Sequence, residues 1–235
     1  METVGGFVPF VTHLLRVPTF TLYADGLAVY RPAPRPGADI RIGTPLLQTH
    51  LGDDRIKELM KLALVTAGLA DAREQYLVRG VRDAGTTVFS VKAGAVDKQV
   101  SVYALGHSEQ GPDRAAYRDF EQLASVLTNF DAWLADDAEV VAYQPESYLG
   151  VFAEEDPERP ALVPWPWDDL SPDDLEPLAE APFFSTAALT PAQVELVTSV
   201  PSGGAADIGM LAADGDAYRL TIRPLLPDEG QDIQA

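Results

Sequence analysis

The chain has no cysteine among its 235 residues. That absence excludes disulfide staples, thiolate zinc sites, iron–sulfur clusters and a cysteine nucleophile. Histidine is nearly as scarce: His13, His50 and His107 stand far apart. A Ser–His–Asp triad built on any of them would be an arbitrary choice, because most chains offer as much. Long apolar runs are missing too. No stretch approaches the roughly 20 residues that a bilayer-spanning helix needs, so no membrane-spanning segment is expected. There is no phosphate loop ending in Lys-Ser/Thr, no dinucleotide fingerprint, no Gly-x-Ser-x-Gly elbow and no His-Glu-x-x-His. No cofactor, metal site or catalytic residue is read from the sequence, and a non-enzyme is favoured over an enzyme.

Basic residues are outnumbered, 17 against 36 acids, for a formal net charge of −19. The imbalance is local. Residues 1–130 are neutral, with fourteen bases and fourteen acids, whereas residues 131–180 hold fifteen acids and one base, Arg159. A field of that sign repels phosphate backbones and anionic membrane surfaces, which argues against nucleic acid as a partner. A solvated acidic face that aids solubility explains it adequately. The excess of Arg over Lys, thirteen to four, matches the coding bias of a GC-rich bacterial genome and weakens any functional reading of the charges.

What is present is a normal apolar content, 46%, enough for a sizeable core in one domain or two small ones. Phe20–Arg31 places Asp25-Gly26 between two β-prone runs, a strong hairpin signal, and a two-residue turn there puts Leu22 and Val29 on one face. Residues 32–52 read as a Pro/Gly-rich loop. A helix over 54–67, capped by Asp53 or Asp54 and ended by Gly68, carries Ile56, Leu59, Met60, Ala63, Leu64 and Ala67 as its apolar stripe. Residues 70–83 read equally as helix or strand. A second hairpin pairs 86–92 with 99–105 around Gly94 and Asp97. The spacing of Ala116, Tyr117, Phe120, Leu123, Ala124, Leu127, Phe130 and Leu134 predicts a long helix over 113–134.

Beyond residue 137, strands are expected at 140–143 and 148–152, then an acidic connection over 153–170. Ser171 with Asp174, and Thr190 with Gln193, have capping-box spacing; Leu170/Leu175 and Leu189/Val194 are placed as staples. A third hairpin joins 208–211 to 217–222 through Asp214-Gly215, and the tail is expected to fray after Leu226. The order ββα-ββα-ββ-α-ββ implies an α+β fold of antiparallel hairpin sheets with helices on one face. The expected lobes are 1–137 and 138–235, packed as one compact unit.

Four segments look familiar: Gly5-Gly-Phe-Val-Pro9, Val17–Arg31, Thr86–Val91 with Val100–Gly106, and Arg223–Glu229. They resemble an uncharacterised group of exported bacterial proteins, many of them lipoprotein-like, of unknown function. The resemblance implies an extracytoplasmic, cell-envelope location and a lipid-bearing cysteine just ahead of the glycines. It carries over no activity and no site residues. The first residues have no basic region and no long apolar core, so no signal peptide is expected in the chain as it stands; a cytoplasmic location is the alternative.

Paired carboxylates occur at Asp53-Asp54, Asp136-Asp137, Glu154-Glu155-Asp156, Asp168-Asp169 and Asp173-Asp174. Glycoside hydrolysis needs two such groups facing each other about 5–10 Å apart across a cleft, which neighbours in a loop do not provide. Calcium is the other use, through Glu154, Glu155, Asp156 and Asp168. The most distinctive run is Pro164-Trp165-Pro166-Trp167. Stiff extended backbone presents aromatic faces at low entropic cost. Trp165, Trp167 and Tyr148 are therefore the candidate binding residues, for a protein or saccharide partner. The alternative, burial of at least one indole against the core, is favoured. Arg219 and Arg223 share a strand face and are expected to pair with the 131–180 acids. The leading expectation is a non-enzymatic binding or structural module of the bacterial cell envelope. A carboxylate-based hydrolase and a calcium-stabilised assembly protein are the alternatives.

Overall fold

A computed structural model describes residues 1–33, 46–78, 80–107, 112–158, 162–198 and 208–229. The fold is α+β, with sheets that are almost wholly antiparallel. The chain divides into two units. The first comprises residues 1–9, 18–40 and 44–143; the second comprises 10–17, 41–43 and 144–235.

In the first unit, β1 (Glu2–Gly5), β6 (Gly85–Ala93), β7 (Val96–Tyr103) and β5 (Gln75–Tyr76) form one sheet in the order β1-β6-β7-β5, with β5 joining parallel to β7. A second sheet has the order β2 (Phe20–Leu22), β3 (Leu27–Tyr30), β4 (Leu47–His50) and β8 (Val141–Ala142). The core is aromatic: Phe120 lies edge-on to Tyr76 at 5.0 Å and beside Phe89 at 5.9 Å, while Phe130 meets Phe20 at 4.6 Å and Tyr30 at 4.9 Å.

Several expectations need correction here. The first hairpin is one residue out of the predicted register. Leu22 pairs with Ala28, and Val29 pairs with Thr21 on the opposite face. The loop is three residues long rather than two: Tyr23 N donates to Leu27 O at 2.9 Å, and Gly26 closes the turn at φ +90°. The 32–52 segment is not all loop, because β4 lies within it; residues 34–45 fall outside the described residues. The second turn is tighter than expected, since Asp97 is already in the ladder opposite Lys92.

The first long helix, α2 (Asp53–Lys61), starts from Gly52 rather than from an aspartate side chain. It passes into a π-helical turn, Leu62–Thr66, in which Ala67 N donates to Leu62 O at 2.8 Å. Gly68, at φ +71°, ends it as expected. The predicted 113–134 helix is two helices, α3 (Arg114–Thr128) and α4 (Phe130–Trp133). Asn129 separates them through its non-helical backbone, φ −109° and ψ 46°: its N makes the last helical bond of α3, to Ser125 O at 3.0 Å, and its side-chain Nδ2 donates to the same oxygen at 2.9 Å. The apolar stripe survives the break, with Tyr117, Phe120, Leu123, Leu127 and Phe130 all buried.

The second unit is a six-stranded sheet in the order β10 (Val163–Pro164), β13 (Ile208–Leu211), β14 (Ala217–Pro224), β9 (Tyr148–Glu155), β12 (Ala181–Leu189) and β11 (Glu176–Leu178). The 153–170 connection is therefore partly sheet, and the long strand β12 was not foreseen. On one face lie α5 (Pro191–Thr198) and the Pro-Trp-Pro-Trp segment; on the other, α1 (Phe10–Leu14) packs near Leu149, Val151 and Leu225. Arg223 pins α1 by donating from Nε to Leu14 O at 2.9 Å. The tail holds together past Leu226, where Leu226 N donates to the Glu229 carboxylate at 2.9 Å and Glu229 N to Leu226 O at 3.0 Å.

Candidate functional site

The two tryptophans of the Pro-Trp-Pro-Trp run sit on the sheet of the second unit because β10 delivers them there. Val163 and Pro164 lie parallel to Met210 and Leu211, and Trp165 N donates to Leu211 O at 2.9 Å. Proline is tolerated because β10 is an edge strand. Trp167 turns inward, is 5% exposed, and donates its indole N–H to Gln193 O at 3.1 Å. Gln193 itself is held by the predicted capping box, receiving from Thr190 N at 2.8 Å and donating to Asp169 at 3.2 Å. Trp165 is half-buried and donates to Leu170 O at 2.5 Å. Burial of one indole is thus what the structure has.

Four rings converge. Trp165 stacks on Phe152 at 5.8 Å and stands edge-on to Trp167 at 5.2 Å and to Tyr218 at 5.7 Å. Tyr148 packs at the margin of the same cluster, half-buried, with burial pushing its phenol above the ordinary tyrosine range. The Tyr218 phenol is raised as well, first by burial and then by Asp216, Asp214, Glu154 and Asp173. Glu154 lies directly across the ladder from Tyr218. The Tyr218 phenol, at the part-exposed side of the cluster, therefore lies in the field of four carboxylates. Tyr218 and these acids as a group were missed at the sequence level; β14 brings its turn acids to the cluster through a register that sequence spacing does not fix.

Three of the other acids proposed for calcium or hydrolysis are engaged locally. Glu155 pairs with Arg219, Asp156 accepts from Glu158 N at 2.9 Å, and Asp174 accepts from Ser171 N and Oγ at 2.8 Å. Those bonds hold the Asp174 carboxyl below the usual range. Arg223 meets Glu229 at 2.8 Å rather than an acid of the 131–180 stretch. Among the described residues, no group of three or more His, Asp or Glu side chains is placed to hold a metal ion, and no helix is long and apolar enough to cross a membrane.

The first unit contains a cavity of about 260 Å³, bounded by β1, β2, β6, α2 and α3. Its floor is apolar, with Phe20, Leu59, Leu69, Phe89, Leu123 and Leu127. The Met1 amine lies at one end, donating to Phe20 O at 2.7 Å, with burial pulling its pKa down to about 6. Sequence periodicity places these side chains in a core and gives no sign that the core is left unfilled.

No family model, curated protein or solved structure matches the chain.

Proposed function

We propose that the protein is a non-enzymatic binding module of the bacterial cell envelope whose second unit takes a basic segment of a protein partner at Trp165 and Tyr218. The observation that carries this reading is the setting of Tyr218, a part-exposed ring beside Trp165 and within the field of Glu154, Asp173, Asp214 and Asp216. An ammonium or guanidinium group over such a ring gains about 0.5–2 kcal/mol, and the surrounding carboxylates steer it there and repel anions. Trp167, hydrogen-bonded inward, serves as the support for Trp165. The envelope location is supported by the four resembling segments alone.

Titration of the Trp133→Phe variant with an alternating Lys-Arg octapeptide tests the reading, with tryptophan fluorescence as the signal. A saturable, salt-sensitive change is expected, lost in Trp165→Ala and absent with the corresponding Glu-containing peptide. Equal binding by Trp165→Ala would sink the proposal. A response to neutral oligosaccharides but not to the basic peptide would replace it with a saccharide site.

A further inference from the structure

Strand β6 is longer than its neighbour on one side. It runs from Gly85 to Ala93, yet β1 pairs with residues 85–88 only; β7 covers the other side along the full length. Among the described residues, 89–93 have no ladder partner on the β1 side. Strand β2 is the edge strand of its own sheet, with β3 as its ladder neighbour, and on its outer side Phe20 exchanges backbone bonds with Met1, N to O at 2.7 and 3.2 Å. The cavity is lined by consecutive residues of both edges, 88–92 and 20–22. A side-chain pocket on a sheet face would take alternate residues, because successive side chains point to opposite faces. Consecutive lining is what a slot along a strand edge produces.

From this we infer that the slot is a strand-addition site, which takes a short extended peptide of a partner protein antiparallel to β6 along residues 89–93. The peptide's backbone would supply the missing ladder bonds. Alternate side chains, those level with Phe89 and Val91, would enter the apolar floor. A space of about 260 Å³ suits two medium aliphatic side chains such as leucine or valine and is small for a larger ligand. Native proteins normally blunt a free strand edge with proline, charge or a covering element. Lys92 is one such charge on 89–93, exposed and only loosely paired with Asp97 at 3.8 Å; the stretch has no proline. This site belongs to the first unit and is independent of the aromatic site in the second.

The test uses the full chain and the peptide acetyl-Leu-Thr-Val-Thr-Leu-amide, with a copy N-methylated at its ladder-facing amides. Calorimetry is expected to show saturable binding, with hydrogen exchange slowed at residues 89–93. N-methylation leaves the side chains but removes the donors, and should weaken binding roughly tenfold or more. Ala63→Leu, which narrows the floor, should also abolish binding while melting stays cooperative. If the N-methylated peptide binds as well as the parent, or 1-octanol displaces it without any change in exchange at 89–93, the slot is a pocket for small apolar molecules and the strand reading is wrong. Absence of peptide binding at millimolar concentration overturns it as well.

Discussion

Phe120 shows how a single side chain carries the first unit. It is 1% exposed and touches both an aromatic from the short parallel strand and one from the long hairpin. Truncation leaves a hole that these neighbours cannot fully close, so Phe120→Ala is expected to cost about 3–5 kcal/mol, read as a shift in the denaturant midpoint. A loss below about 1 kcal/mol would mean the helix stripe does not face the core. Tyr30 makes a different kind of contribution. Its hydroxyl donates to Asp131 at 2.6 Å, and its ionisation is pushed upward, first by burial and then by that carboxylate. In the unfolded chain the phenol loses its proton near the ordinary value of 10.0. Above that pH the unfolded state binds fewer protons than the folded one, so stability falls as pH rises. Tyr30→Phe should flatten this alkaline decline while leaving the neutral-to-acid profile unchanged in shape. An unchanged alkaline limb would show that the phenol is not the titrating group.

Among the elements, the hairpins are the most instructive. Ala24-Asp25-Gly26 and Ala213-Asp214-Gly215 adopt the same three-residue loop. In each, the aspartate accepts a hydrogen bond from the N–H two residues on, at 3.0 Å, and the glycine has φ above +90° or at it. A β-carbon at Gly26 would meet Leu51 O at 2.7 Å, whereas one at Gly215 would have nothing within 4 Å. Gly215→Ala is therefore expected to cost about 1 kcal/mol for the left-handed backbone alone, and Gly26→Ala clearly more, because the Leu51 backbone just after β4 must also move. Equal losses in thermal melts would contradict this. The presence of both hairpins was legible from Asp-Gly between β-prone runs, but their register was not, since two- and three-residue loops share that dipeptide. The capping boxes at Ser171 and Thr190 were legible because their chemistry is local. Strand β12 was not: Ala181-Pro-Phe-Phe-Ser-Thr-Ala-Ala-Leu189 lacks alternation, and its place comes from pairing with β9 and β11. The break at Asn129 sits inside an unbroken 3.6-residue stripe, so periodicity alone passes over it. At the candidate site the two tryptophans stand out in sequence, whereas Tyr218 and its carboxylates meet only through long-range strand order.

For the whole molecule, the main fact is that the units are not consecutive in the chain. Residues 10–17 belong with the second unit although both flanking segments belong to the first. Val11, Leu14 and Leu15 pack by Leu149, Val151 and Leu225. Replacing 10–17 by a Gly-Ser linker of equal length should speed hydrogen exchange in β9 and β14 and leave β6 and β7 protected. Equal loss in both units, or in neither, would argue against this division.

The Arg223 bond to Leu14 spans 209 residues of sequence, and that distance has a consequence during synthesis. At about 5–20 residues per second on the ribosome, the first hairpins and α2 are available seconds before β14 exists. Residues 10–17 must therefore wait, looped out from a partly built unit, until β14 has left the exit tunnel. An apolar segment held idle that long is open to capture by chaperones or by another nascent copy, so the yield of native protein should depend on translation speed more than its final stability does.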